Sequence, residues 1–231
     1  MEYLATTYYV IGIDIVVALV TLWLLKAGKA SNTVIAMTGL FSALWIGFLH
    51  WVFSTKSIFP PDMSGFSFYL IILGAVLVSG VLLYMSPPRK TFFNLSQEQI
   101  QMVQGLRVFV GAGFLMEGSL RVIPSGFGIL DGYLHITSAF PALMAAICYA
   151  KAYSFKKDVL WLANIVGILD PIIIVTGICF FVWGDMGPHH NMMYVVFYAA
   201  PIILWLHFVS VSKLIKEQST EKVGASKIAT V

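Results

Sequence analysis

Five ionisable residues stand where the surrounding sequence is apolar: Asp14, Arg107, Glu117, Asp131 and Asp170. Charge in such a setting is costly and is kept where it handles protons, ions or polar ligands. Asp131 and His135 are spaced i and i+4, so on a helix they can touch. Asp170 precedes Pro171 and needs a partner, and Arg107 is the deep cation that could neutralise it. Acids and a histidine held out of water suit proton exchange, ion binding or general acid–base chemistry.

What shares a helical face with each of these groups follows from a rotation of about 100° per residue. Asp14 lies on a stripe with Thr7, Ala18 and Thr21, and His50 on one with Gly39, Ala43 and Gly47. Arg107 aligns with Gln104, Gly111, Gly118 and Arg121; Asp131 aligns with His135, Ser138, Ala142 and Tyr149. Tyr194, Tyr198, Pro201 and Trp205 make a last stripe. Small residues mark close helix approach and polar ones mark places to bond, so these faces point into a bundle. Asp14, His50, Glu117, Asp131, His135 and Tyr198 fall in its outer half and are the candidates for ligand binding or proton handling. Arg107, Asn164 and Asp170 lie deeper and are the candidates for a buried ion pair. Glu117 is expected to reach Arg121, one turn on. His189 and His190, in a polar loop, are expected to be solvated, and His207 to snorkel to the cytoplasmic face. Gly-Ile-Leu-Asp occurs at 128–131 and again at 167–170; the echo is read as chance, because adjacent spans run antiparallel and make no inverted repeat.

The elements that must position these residues are membrane spans. The chain is 59% hydrophobic and 11% charged, against about a quarter charged in soluble domains, so its solvent is lipid. A span needs about 20 apolar residues, and seven stretches qualify, roughly 7–26, 33–53, 67–86, 99–123, 129–152, 159–183 and 192–214. Ser96 and Gln99 form a capping box at the start of the fourth. The reading is therefore all-α: a single polytopic bundle of seven transmembrane helices over 1–215, followed by a polar, disordered cytoplasmic tail over 216–231. Lys26, Lys29, Arg89, Lys90, Lys151, Lys156, Lys157 and the tail lysines fall on one side, and Lys56 and Arg121 on the other. That asymmetry puts the N-terminus outside and the C-terminus in the cytoplasm. The N-terminus has an acidic start with lysines after the first apolar run, the reverse of a signal peptide, so the first span is expected to be retained.

Several chemistries are excluded. There is no metalloprotease HExxH, phosphate-binding loop or serine nucleophile elbow. No ExxH pair stands on facing helices, so no metal is expected. No cofactor is expected either: the last span, MMYVVFYAAPIILWLHFVSV, has no lysine, which excludes a retinal Schiff base. Cys148 and Cys179 make no disulfide framework. No basic patch interleaves with aromatics, so nucleic acid is not a partner.

The run from Arg107 through RVIPSGFGILDG to WLANIVGILD resembles a group of small bacterial multi-pass proteins that carry an arginine, then an LP…G..D turn, then WN..G..D. Here Ile123 precedes the proline and Leu162-Ala163 separate the tryptophan from the asparagine. The resemblance covers about a third of the chain, implies that Arg107, Asp131, Asn164 and Asp170 belong together, and points to a bacterial inner (plasma) membrane. It brings no activity. The leading expectation is binding or transport of a small molecule or ion through a polar pocket in the outer half. An intramembrane enzyme acting on a lipid or isoprenoid, and a non-catalytic subunit or sensor, are the alternatives. Expected partners are membrane lipids, an unidentified small molecule or lipid, and a second copy or another membrane protein.

Overall fold

The structure is a computed structural model that describes residues 3–85 and 88–228. Met1 and Glu2 of the acidic start, Ser86 and Pro87 of the third break, and residues 229–231 of the tail lie outside the described residues. The described chain is helical throughout: α1 (Tyr3–Ala27), α2 (Asn32–Thr55), α3 (Gly65–Met85), α4 (Pro88–Asn94), α5 (Gln97–Gln104), α6 (Arg107–Ser119), α7 (Ser125–Ala150), α8 (Lys156–Phe180), α9 (Trp183–Met186), α10 (Met193–Phe197) and α11 (Ala199–Ile228). Six of these, α1, α2, α3, α7, α8 and α11, are long and apolar enough to cross a membrane.

Two expected spans are divided. The stretch 99–123 forms α5 and α6, each too short to cross alone. They meet at Gly105 and Leu106, whose amides reach back three residues to Met102 and Val103, at 3.1 and 3.0 Å. That tightened turn is where the polar stripe passes from Gln104 to Arg107. The stretch 192–214 begins as α10, breaks at Tyr198 (φ −125°, ψ −69°) and restarts as α11. Pro201 lacks the amide that would close the ladder onto Phe197. At the other end α11 runs on through the polar segment to Ile228. The Ser96–Gln99 capping box is formed, with bonds of 2.9 and 3.1 Å.

The packing is inverted relative to a water-soluble protein. Leu130 is 68% exposed and Leu169 49%, whereas Asp14 and Glu117 have no exposure at all. Such a surface suits lipid, with the polar groups turned inward. Helix α7 packs on α5, α6 and α8; α11 packs on α8, α3 and α5; α1 packs on α2, α6 and α10. The segment Asn191–Ala199 is buried at every residue, so the broken helix runs through the middle of the bundle. Glycines let α6 and α7 touch backbone to backbone. A Cβ on Gly128 would fall 2.7 Å from Gly118 Cα, and one on Gly111 2.5 Å from Gly132 O. Close contact of this kind replaces the hydrophobic effect as the force between helices in lipid.

Candidate functional site

Both Gly-Ile-Leu-Asp runs serve one pattern. Glycine and aspartate, three residues apart, share the inner face; the leucine between them faces outward. In the second run Gly167 and Asp170 both bind Arg107. Pro171 removes the amide that would have bonded the Gly167 carbonyl four residues back. Arg107 Nη2 takes that carbonyl at 2.6 Å, and Nη1 takes Asp170 Oδ2 at 2.9 Å. The same carboxylate oxygen accepts Ser138 Oγ at 2.6 Å and faces His135 Nδ1 at 3.0 Å. Arg107, Ser138 and Asp170 are at most 2% exposed. Three helices, α6, α7 and α8, thus converge on one oxygen.

Asp131 joins this centre by charge: it lies close enough to Asp170 for the two to act on each other. The expected Asp131–His135 bond is not formed, because the His135 ring turns its Nδ1 to Asp170 instead. Asp131 Oδ2 and Asp170 Oδ1 have no hydrogen-bond partner among the described residues. Phe114 stacks on the His135 ring, with centroids 5.6 Å apart.

Asn164, expected beside Arg107 and Asp170, belongs to a second group made of amides. Gln97, Gln101 and Gln104 recur along one face of α5 and meet α8 and α11. Gln101 Nε2 bonds Asn164 Oδ1 (3.2 Å) and Ser210 Oγ (3.0 Å), and Ser210 Oγ donates to Gln97 Oε1 (2.8 Å). Gln104 Nε2 takes the Ile203 carbonyl at 3.1 Å. His207 does not snorkel: it is 1% exposed, and its Nδ1 meets Asn164 Oδ1 at 2.9 Å. Its ring lies so close to Gly167 that a Cβ there would collide with Nε2. The sequence reading placed Gln104 on the inward Arg107 stripe but missed Gln97, Gln101, Ser210 and the burial of His207. The glutamine spacing of three to four residues was the available signal.

The remaining candidates form a third and a fourth group. Glu117 does not reach toward Arg121. It faces Thr6 and Asn191, and His190 Nε2 stands 3.7 Å from its Oε2. His190 is 4% exposed rather than solvated, and burial pushes its pKa down to about 4. His189 is half-buried and meets the Phe59 carbonyl at 2.7 Å. Asp14 faces the Ala199 amide at the restart of α11, where a helix N-terminus favours negative charge, and makes no close hydrogen bond among the described residues. The carbonyl freed on the other side of the break, Phe197 O, accepts Trp45 Nε1 at 3.1 Å. Tyr198 lies near Ser42, and His50 Nδ1 is 3.0 Å from the Tyr194 hydroxyl.

A helical bundle with six helices long and apolar enough to cross a membrane, closed around buried charge, is compatible with the class of multi-pass membrane proteins. Within it, the chain belongs to the family described as "Domain of unknown function (DUF8737)", which it matches over residues 65–215. That range contains the Arg107–Asp131–His135–Asp170 centre and the amide group, and excludes Asp14 and His50. No curated protein and no solved structure matches the chain.

Proposed function

We propose that the protein is a seven-crossing protein of the plasma membrane that binds and moves a small molecule or ion, and that the site is the Arg107–Asp131–His135–Asp170 centre. In this reading α5 and α6 together make the seventh crossing, and the lysine-rich ends face the cytoplasm. The single observation that carries it is the pair of bare carboxylate oxygens, on Asp131 and Asp170, held by different helices in one buried place. A structural ion pair needs Arg107 and Asp170 alone. The second aspartate adds repulsion and no bond, a cost retained in lipid where a group has a ligand or a proton to handle. Asp14, Glu117, His50 and Tyr198 lie in the separate outer groups and would line the approach to that centre.

The test is native mass spectrometry of the full chain released from mild detergent. The expected result is a defined non-protein adduct that is lost in Asp131→Asn and in His135→Ala. A wild-type spectrum with no adduct, alongside variants that are merely less stable, would overturn the reading in favour of a structural subunit. A specific observation favours a second reading, an enzyme acting on lipid. An apolar groove of about 350 Å³, lined by Tyr8, Tyr9, Gly12 and Val16 of α1 with Leu106 and Phe109, opens on the outside of the bundle next to the start of α6. A lipid-sized adduct would favour that reading.

A further inference from the structure

The short helix α4, with the sequence PRKTFFN, has two unlike sides. Phe92 and, three residues on, Leu95 are buried in the core beside Leu206 and Val209 of α11. Arg89 and Lys90 are exposed. Phe93 stands one turn beyond Arg89 on the same side of the helix and is half-buried. Arg89 Cζ lies 5.7 Å from the centroid of its ring, and Lys216 Nζ of α11 lies 5.2 Å from the same centroid. Both distances are those of a cation drawn to an aromatic ring. Two cations from separate helices are thus held beside one side chain.

The placement is fixed by α11. Lys213 Nζ, one turn before Lys216, donates to the Phe93 and Leu95 carbonyls at 2.8 and 2.7 Å. These are carbonyls of the kind that a helix end leaves without amides. Lys213 therefore ties α11 to α4, and Lys216 follows it onto the Phe93 ring. The acid beside Lys216, Glu217, accepts the Tyr149 hydroxyl of α7 at 3.5 Å. Asn94 Nδ2 donates to the Gly28 carbonyl at 3.3 Å, so the α1–α2 turn with its exposed Lys26 and Lys29 also abuts α4.

An apolar crease between α3, α4 and α11 starts at this cationic corner. Arg89, Phe92 and Phe93 line it with Leu83, Tyr84 and Trp205. Trp205 donates its Nε1 to the Val76 carbonyl at 2.8 Å, and its ring fills the place where a Cβ on Gly80 would stand. The crease is shallow, a track for a chain and not a chamber for a solute. An occupant that answers both features has an anionic head and an apolar chain. The planar fork of an arginine matches phosphate oxygens. Basic pockets between helices on the cytoplasmic side, where the leaflet is rich in anionic lipid, are where such headgroups settle.

We propose that Arg89, Lys216 and the crease between α3, α4 and α11 hold an anionic phospholipid, with its headgroup at the two cations and an acyl chain along Tyr84 and Trp205. The site shares no residue with the Arg107–Asp170 centre. It rests on the reading above that the lysine-rich ends lie at the cytoplasmic leaflet.

The experiment titrates the full chain in mild detergent with phosphatidylglycerol or phosphatidylcholine of the same acyl chains, and reads bound lipid by native mass spectrometry. The two lipids share phosphate and chains and differ in net charge. A cation near the membrane surface is worth about fivefold in affinity for an anionic lipid. Phosphatidylglycerol is expected to bind several-fold more tightly than phosphatidylcholine. Arg89→Gln and Lys216→Gln should each weaken it about fivefold and leave phosphatidylcholine unchanged. Lys151→Gln, the same loss of charge in the exposed α7–α8 loop, should change neither. Equal affinity for the two lipids, a preference that survives Arg89→Gln combined with Lys216→Gln, or an equal fall in Lys151→Gln would overturn the proposal. So would displacement of phosphatidylglycerol by an equal concentration of glycerol phosphate, which has the head without the chains. If a variant fails to fold, the contrast between the two lipids and the competition with glycerol phosphate, both on the wild type, decide. A lipid adduct of this site survives Asp131→Asn, which separates it from the adduct expected at the buried centre. Sidedness does not enter a measurement in detergent, so failure here leaves the reading above standing, and failure of that reading leaves the lipid preference to be measured.

Discussion

Arg107 divides its guanidinium between two acceptors that the fold leaves in need, the Asp170 carboxylate and the Gly167 carbonyl orphaned by Pro171. Removing it strands a buried charge and a buried carbonyl together. Loss of one partner of a buried pair costs about 3–5 kcal/mol, so Arg107→Ala is expected to lower the melting temperature sharply in detergent. Arg107→Lys keeps the charge but has no planar fork to reach both acceptors, and should fall between the two. A lysine variant as stable as wild type would mean that the Gly167 arm contributes nothing. His190 makes a prediction in pH. Its folded pKa, near 4, lies below the unfolded value of about 6.5. Between those values the unfolded chain binds the extra proton, so stability is full above about pH 6.5 and is lost as the pH falls toward 4. The loss is up to about 3 kcal/mol. Melting curves at pH 7.5 and 4.5 should therefore differ less in His190→Gln than in wild type; equal pH dependence would show that the histidine stays out of the acid response.

At the scale of elements, two carbonyls freed by prolines, one inside α8 and one at the α10–α11 break, are completed by side chains from other helices. Gly167 O is served by Arg107, and Phe197 O by Trp45 across 152 residues of chain. A carbonyl stranded in lipid costs several kcal/mol, which is why the partner has to exist. Trp45→Phe should cost about 1–3 kcal/mol in the wild type. In Pro201→Ala the helix can supply its own amide to Phe197, so the same substitution should cost clearly less there. A double-mutant cycle in melting temperature checks this, and strict additivity would show that Trp45 does not serve the break. These pairs also mark how far the sequence could be read. The charged members of the centre were visible, because an aspartate or arginine in an apolar run stands out against its neighbours. The proline four residues beyond each freed carbonyl was visible too, but its partner comes from a distant helix that no local pattern names. Gln97, Gln101 and the burial of His207 escaped for a different reason: a neutral amide in a span looks like a solvated end until the facing helix supplies Asn164 and Ser210.

The whole molecule turns on the parity of its crossings. Six helices are long enough to cross alone, and six crossings would return the C-terminus to the side of the N-terminus. If α5 and α6 did not cross together, every loop after them would change sides. Lys151, Lys156 and Lys157 would then be outside, against the bias set by Lys26, Lys29, Arg89 and Lys90. Counting α5–α6 as a crossing restores the bias. It also explains why this helix pair can be irregular: its polar face is covered by α7, α8 and α11, and irregular backbone at membrane depth is tolerated where protein covers it. Cysteine labelling in intact cells decides the point, and the two native cysteines are buried. Asp62→Cys, in the exposed α2–α3 loop, should react with a membrane-impermeant maleimide from outside. Ser154→Cys, in the exposed α7–α8 loop, should react only after the cells are opened. Reaction of both from outside would mean six crossings, with the α6 centre entered from the opposite face.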